Sequence, residues 1–443
     1  MVVRQPDLSS RLTFLLGAKE CLAMDRFAVT GGRPLQGSVE AASAKNSVLP
    51  ILAACILTEE PCTIDAVPQL EDVATMLRLL QSMGIRVSST GRTVTVEASG
   101  KPASEAPYDI VRKMRAGYYV LGPLLGRCGR AKVSLPGGCA IGARPVDLHL
   151  KGARALGAAI DIEHGYIDAR ATGMRGATMV LEGTNGPSVG ATINTMMAAV
   201  LTQGETVIQG AAAEPEVADV AGFLCSMGAV VEGAGTPLVR IHGVKKLHGT
   251  SYRPVPDRIE VGTLAVAAAL TRGQVEITGC RPDHLAAPIE VLRHAGAEVE
   301  TGPDRLMVKA KDRPRPFNIT TAPYPGFPTD LQAQFMTLAS LAEGTSTIEE
   351  NIFEARFMHA MELDRMGARI AVKGSVAVVT GVERLSAAQV MASDLRASAA
   401  LVLAGLACEG TTEILRIYHL DRGYEKLEEK LATLGARVER VRK

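Results

Sequence analysis

Six copies of one tripeptide govern what this chain can fold into. Met83-Gly84-Ile85, Leu156-Gly157-Ala158, Met227-Gly228-Ala229, Ala295-Gly296-Ala297, Met366-Gly367-Ala368 and Leu434-Gly435-Ala436 place their glycines 73, 71, 68, 71 and 68 residues apart. Such regular self-similarity means one supersecondary unit, repeated and packed against its own copies. Each glycine follows an amphipathic stretch, such as EDVATMLRLLQSMG or EKLEEKLATLG, and precedes an alternating one, such as IRVSST or RIAVKG. That pattern predicts a helix stopped by a left-handed glycine cap, then a strand. A further strand follows in TVTVEA, YIDARA, LVRIHG, RLMVKA and VAVVTG. Upstream in each unit lies a small-residue helix, such as NSVLPILAACILTEEPCTI or RASAALVLAGLACEGTTEI, apolar nearly all round and therefore buried inside a lobe. The unit reads strand, buried helix, strand, outer helix, strand, strand.

The sixth unit stops at RVERVRK, one strand short, and the lone N-terminal strand candidate FAVTGG (27–32) is placed to complete it. The expectation is an α/β fold of two lobes with three units each. One lobe comprises residues 45–254; the other comprises 255–443 plus 24–44, so the polypeptide crosses between lobes twice. Residues 1–23 fit neither unit and read as an N-terminal extension.

Composition narrows the function. Lys plus Arg (48) balance Asp plus Glu (47), for a net charge of +1, which excludes a uniformly basic nucleic-acid binder. Aromatics are 4% with no Trp, which favours an Ala/Val/Leu core over base-stacking platforms. The eight cysteines form no CxxC pair and no HExxH is present, so neither a zinc site nor any other metal or cofactor is expected. The longest charge-free stretch, from Glu182 to Glu205, holds Asn, Thr, Ser and Gln and is no membrane span. The apolar run Leu12 to Ala18 is too short for a signal peptide. The expectation is a cytoplasmic protein, with no nucleic-acid or membrane partner and no oligomeric partner assigned.

Chemistry-bearing residues recur at equivalent corners of the units. Beside the starts of buried helices stand Lys45-Asn46, Arg115, Ser188-Val189, Asp257-Arg258, Thr329-Asp330 and Asp394-Leu395-Arg396. The turns before outer helices carry the loop PGGCAIGARP (136–145), Glu214-Pro215-Glu216, Arg356 and Asp421-Arg422. If the helix N-termini face a central cleft, their free N–H groups and these cations make a site for strongly anionic ligands. Arginine's planar fork suits phosphate and carboxylate. Asp330 reads equally as a helix cap or as a functional acid, and Asp394 as a cap or an ion-pair partner of Arg396. Cys139 stands in a glycine-rich loop that ends in Arg144, which suits a reactive thiol better than core packing. Cys55, Cys62, Cys225, Cys280 and Cys408 lie in apolar segments and read as packing residues.

The segments KNSVLP, SLPGGCAIGARPVDLH, PSVGAT, PDRIEVGT, YPGFPTDLQAQF, FEARFMH, SDLRASAALVLAG and IYHLDRGYEKLE are similar to those of the UDP-N-acetylglucosamine enolpyruvyl transferases of the EPSP synthase-like superfamily. The resemblance runs from about residue 24 to the C-terminus. It implies a two-lobe inverse α/β barrel of six βαβαββ units. It also implies transfer of the enolpyruvyl group of phosphoenolpyruvate to the 3-hydroxyl of UDP-N-acetylglucosamine, with release of phosphate, the first committed step of peptidoglycan synthesis. By the same resemblance, Asp330 is the base toward the sugar hydroxyl. Cys139, in a lid loop over 136–145, protonates the methylene carbon of phosphoenolpyruvate and can form a covalent adduct. Lys45, Arg144 and Arg422 hold the phosphate and carboxylate, with Arg356 and Arg396 beside them. Asn46 contacts the sugar, and Arg115, Pro145, Asp147, Leu148, Ser188, Val189 and Ile352 line the nucleotide site.

Overall fold

The computed structural model describes residues 25–112, 114–135, 146–184 and 186–442. The extension 1–23 and the loop 136–145, with Cys139, Arg144 and Pro145, lie outside the described residues.

All six repeat glycines take the left-handed conformation, with φ between 82° and 102°. After each, the next residue's N–H donates to the carbonyl five positions back: Ile85 to Leu80, Ala158 to Ala153, Ala229 to Leu224, Ala297 to Leu292, Ala368 to Leu363 and Ala436 to Leu431. This is the Schellman closure, and it turns the chain straight into the following strand. At Gly84, Gly157 and Gly435 a Cβ would meet nothing within 4 Å, so the backbone angle and not crowding demands glycine there.

Six four-stranded sheets result, each in the order first, second, fourth, third strand of its unit. In every one the first two strands run parallel and the other pairings are antiparallel. The N-terminal strand Arg26–Thr30 sits between Thr411–Leu415 and Arg437–Val441 as the fourth strand of the sixth sheet. Two further strands were not anticipated. Gln36–Glu40 opens the fourth sheet beside Gln274–Thr278, and the two-residue strand Ser251–Tyr252 opens the first sheet beside Cys62–Ile64. The chain therefore leaves and re-enters each half through paired strands, which ties its beginning to its end.

Two hydrophobic clusters fill the halves. One runs from Val48 to Leu247; the other joins Phe27, Val29, Leu35 and Val39 to residues between Ile259 and Leu434. The helices Arg258–Leu270 and Leu395–Ala407 are buried on nearly every side, as their mostly apolar sequences require. Cys55, Cys62, Cys280 and Cys408 are buried, but Cys225 is exposed, because it falls on the solvent stripe of the Pro215–Ser226 helix. The packing expectation fails for that thiol.

Candidate active site

The caps of the buried helices set the frame. Asp257 Oδ1 accepts from Ile259 N at 2.8 Å and Glu260 N at 3.2 Å, and its Oδ2 accepts from Lys45 N at 3.4 Å. One carboxylate thus caps Arg258–Leu270 and reaches the first residue of Lys45–Ala54 in the other half. Asp394 Oδ1 accepts from Arg396 N and Ala397 N at 2.9 and 3.1 Å. Of its two readings, the cap is the one seen, which leaves the Arg396 guanidinium for another partner.

That partner is Asp330. Arg396 Nη2 donates to its Oδ2 at 2.7 Å, and Arg356 Nη2 to its Oδ1 at 2.9 Å. The arginine side chains are 5% and 3% exposed and the aspartate 28%, so the carboxylate alone of the three opens toward solvent. Asp330 caps no helix: it sits in the 3-10 turn Thr329–Leu331, whose cap position is Pro328. Its backbone carbonyl accepts from Gln334 Nε2 at 3.1 Å. Gln334 also bonds Thr263 Oγ1 and Tyr424 Oη, and the Tyr424 ring lies 5.5 Å from the Arg396 guanidinium carbon. Glu350 accepts from the hydroxyls of Thr321 and Thr329 and from the N–H groups of Ile352 and Phe353, which fixes the turn leading to Arg356. Burial alone would raise the Asp330 pKa, but the charges of Arg396 and Arg356 outweigh it and hold the carboxyl well below the usual carboxylate range.

Two further cations, Lys45 and Arg422, meet at a residue the sequence reading did not single out. Lys45 Nζ lies 3.3 Å from Asp72 Oδ2, and Arg422 Nε donates to Asp72 Oδ1 at 2.9 Å. Burial pulls the Lys45 pKa down; Asp72 pushes back, while Arg396 and Arg422 add to the fall. Lys45, Asp330, Arg356, Arg396 and Arg422 therefore form one electrostatic cluster drawn from both halves. Asp72 escaped notice because EDVATMLRLLQS reads as an ordinary amphipathic helix with acids in its first turn.

The residues assigned to the nucleotide are spread over several elements. Ser188 caps Val189–Ala199, its Oγ accepting from Ala191 N at 3.3 Å. Asp147 opens the helix Asp147–Ala155, and Leu148 Cδ1 lies 3.4 Å from the position of a Cβ on Gly183. Gly183 belongs to a small hairpin whose Gly186 faces Pro323 of the other half, the Cγ 3.0 Å from a Cβ position. Asn46 is half-buried beside Lys45, Ile352 is half-buried, and Arg115 begins a 3-10 turn. Among the described residues no three His, Cys, Asp or Glu cluster as metal ligands, and no helix is long and apolar enough to cross a membrane.

Two facing lobes of βαβαββ units, with a cationic cluster drawn from both, define a carboxyvinyl transferase architecture. Residues 29–431 match the family of EPSP synthase (3-phosphoshikimate 1-carboxyvinyltransferase). The enolpyruvyl transferase NikO from Streptomyces tendae superposes with a TM-score of 0.86 at 28% identity, over 95% of this chain and all of that one. An EPSP synthase from Acinetobacter baumannii shares the fold at 17% identity, with a TM-score of 0.72 over 95% of this chain and 100% of that one. UDP-N-acetylglucosamine 1-carboxyvinyltransferases from Anaeromyxobacter dehalogenans (strain 2CP-C) and Granulibacter bethesdensis (strain ATCC BAA-1260 / CGDNIH1) are 54% and 53% identical, over 95% and 94% of this chain and the full length of each relative. The chain belongs to the EPSP synthase family and, within it, to the UDP-N-acetylglucosamine 1-carboxyvinyltransferases.

Proposed function

We propose that this protein transfers the enolpyruvyl group of phosphoenolpyruvate to the 3-hydroxyl of UDP-N-acetylglucosamine, releasing phosphate and serving peptidoglycan synthesis. The observation that carries the reading is full-length similarity above 50% to enzymes of that name. The cationic cluster around Asp330 supplies its physical support.

Phosphoenolpyruvate carries a phosphate and a carboxylate on one small carbon frame. Lys45 and Arg422 offer them an ammonium and a guanidinium, Arg356 and Arg396 two more guanidinium groups, and Arg144 of the 136–145 loop is assigned to the same task. Cys139 delivers a proton to the methylene carbon, the sugar oxygen bonds to the adjacent carbon as Asp330 accepts its proton, and loss of a methyl proton with phosphate restores the double bond. Charge develops between fixed anions, so preorganised cations in a water-poor cleft carry most of the catalysis. At rest, Asp330 gripped by two arginines is ionised but a weak base. An anionic substrate that draws Arg356 or Arg396 to itself frees the carboxylate and raises its basicity, coupling substrate binding to base strength. Asn46, Arg115, Pro145, Asp147, Leu148, Ser188, Val189 and Ile352 hold the sugar nucleotide.

The test is phosphate release from phosphoenolpyruvate with UDP-N-acetylglucosamine, shikimate 3-phosphate or free uridine nucleotides as acceptor. Release with the first alone is expected. Release with shikimate 3-phosphate alone overturns the acceptor assignment.

A further inference from the structure

Lys45 and Arg422 are joined through an acid. Asp72 is 4% exposed, and each of its carboxylate oxygens meets one of the two cations. An acid in a helix first turn ordinarily faces water and complements the helix N-terminus; this one points into the site. The connection also crosses the molecule, since Lys45 and Asp72 flank the first hydrophobic cluster and Arg422 follows Leu420 of the second. A neighbouring contact follows the same seam: Glu425 Oε1 accepts from Gln69 N and its Oε2 from Arg92 Nη2, both at 2.7 Å.

We propose that Asp72 is a positioning residue of this site, holding the Lys45 ammonium and the Arg422 guanidinium at the spacing of its own two oxygens and keeping Lys45 charged for the incoming phosphate or carboxylate. The inference deepens the function proposed above and rests on it. Four charged side chains from four elements act on the Lys45 amine: Asp72 of Glu71–Ser82, Arg396 of Leu395–Ala407, Arg422 of Ile417–Arg422 and Asp330 of Thr329–Leu331. Asp257 reaches the Lys45 backbone N–H instead. Burial and the two arginines favour the neutral amine, and Asp72 is the strongest opposing influence. Without it, the lysine that is to bind an anion loses its charge at a lower pH.

The experiment compares pH profiles of kcat/KM for phosphoenolpyruvate in wild type, Asp72→Asn, Asp72→Glu and Lys45→Arg, with folding checked by circular dichroism. Loss of a charge partner at this distance moves a pKa by about one unit or more, so the basic limb in Asp72→Asn is expected at least that much lower. Asp72→Glu, which restores the carboxylate, is expected to return the limb toward its wild-type place. Lys45→Arg cannot lose its proton near neutral pH, so its limb disappears, and adding Asp72→Asn no longer moves the profile. A folded Asp72→Asn enzyme with an unmoved limb, or with equal loss at every pH, overturns the proposal. If Asp72→Asn does not fold, Lys45→Arg decides: a wild-type limb there overturns the proposal, and a vanished limb supports it. A wild-type protein inactive with both substrates defeats the functional reading instead, so the two failures are distinguishable.

Discussion

Two aspartates organise this site in different ways. Asp330 is gripped by Arg356 and Arg396, both from its own half of the molecule. Asp72 joins Lys45 to Arg422, one cation from each half. Folding of one lobe suffices to assemble the first arrangement, whereas the second exists only while the lobes are correctly apposed. The difference teaches that the base is built by local folding and the anion clamp by lobe apposition.

The largest expected effect breaks the intralobe side. Asp330→Asn removes the base, and turnover is expected to fall at least ~100-fold, the usual scale of general-base loss. Closure should survive, because the hydrogen bonds of Asp330 to Arg356 and Arg396 lie within one half. Solution scattering with UDP-N-acetylglucosamine checks this: a contraction like wild type's separates loss of chemistry from loss of apposition.

Breaking the interlobe side gives a different signature. Arg258 donates to both oxygens of Glu216 at 2.9 and 3.2 Å, linking the Arg258–Leu270 helix to Pro215–Ser226. Glu216→Gln leaves a nearly buried guanidinium with a neutral partner, at a cost of about 2 kcal/mol. Calorimetry is expected to show an earlier, broader transition as the lobes uncouple; Asp330→Asn should keep a single sharp one.

Cys139 sharpens the comparison through reactivity. A small phosphonate epoxide presents the charge of phosphoenolpyruvate and an electrophilic carbon, so the cations of both lobes should draw it toward this thiol. Alkylation of Cys139 is expected to run about 10-fold faster with UDP-N-acetylglucosamine, as cations lower a thiol's pKa and raise its thiolate fraction. Peptide mass mapping provides the check, with Cys225 as the internal control because it is the exposed thiol among the described cysteines. Equal labelling of the two thiols counts against the assignment.

The smallest effect concerns His359, buried behind Arg356 with Nε2 unpartnered. Burial lowers its pKa to about 4, against the pull of Asp394 and with the help of Arg356. A histidine kept neutral by folding contributes stability that is full above pH 6.5 and is lost as pH falls toward 4. Between pH 7 and 5.5 that loss is about 1 kcal/mol. Urea unfolding of His359→Asn across this range should show a slope shallower by that amount, whatever its absolute stability.

The repeat, the six glycine caps and the all-buried helices were legible because each depends on residues adjacent in sequence: a φ only glycine adopts easily, an apolar run too continuous for a surface helix. Gln36–Glu40 and Ser251–Tyr252 were not. Val39 alone of the first five residues is buried, and two residues carry no periodicity. The cations at helix starts and turns were visible as recurring corners, and the long motifs named the family. Sequence could not choose between the two readings of Asp330 and Asp394, because an acid beside a helix start looks the same whether it caps the helix or accepts from a distant arginine.

By itself, then, the sequence determined the repeated unit, its turns, the buried helices and the kind of charge available to a ligand. Tertiary structure alone decided which carboxylate each cation would meet. Arg422 finds Asp72 from 350 residues away, and Arg396 finds Asp330 from 66. The first pairing needs the two lobes apposed, and the second needs the units of one lobe packed against each other. Electrostatic partnership depends on distance in space, and no local pattern encodes it.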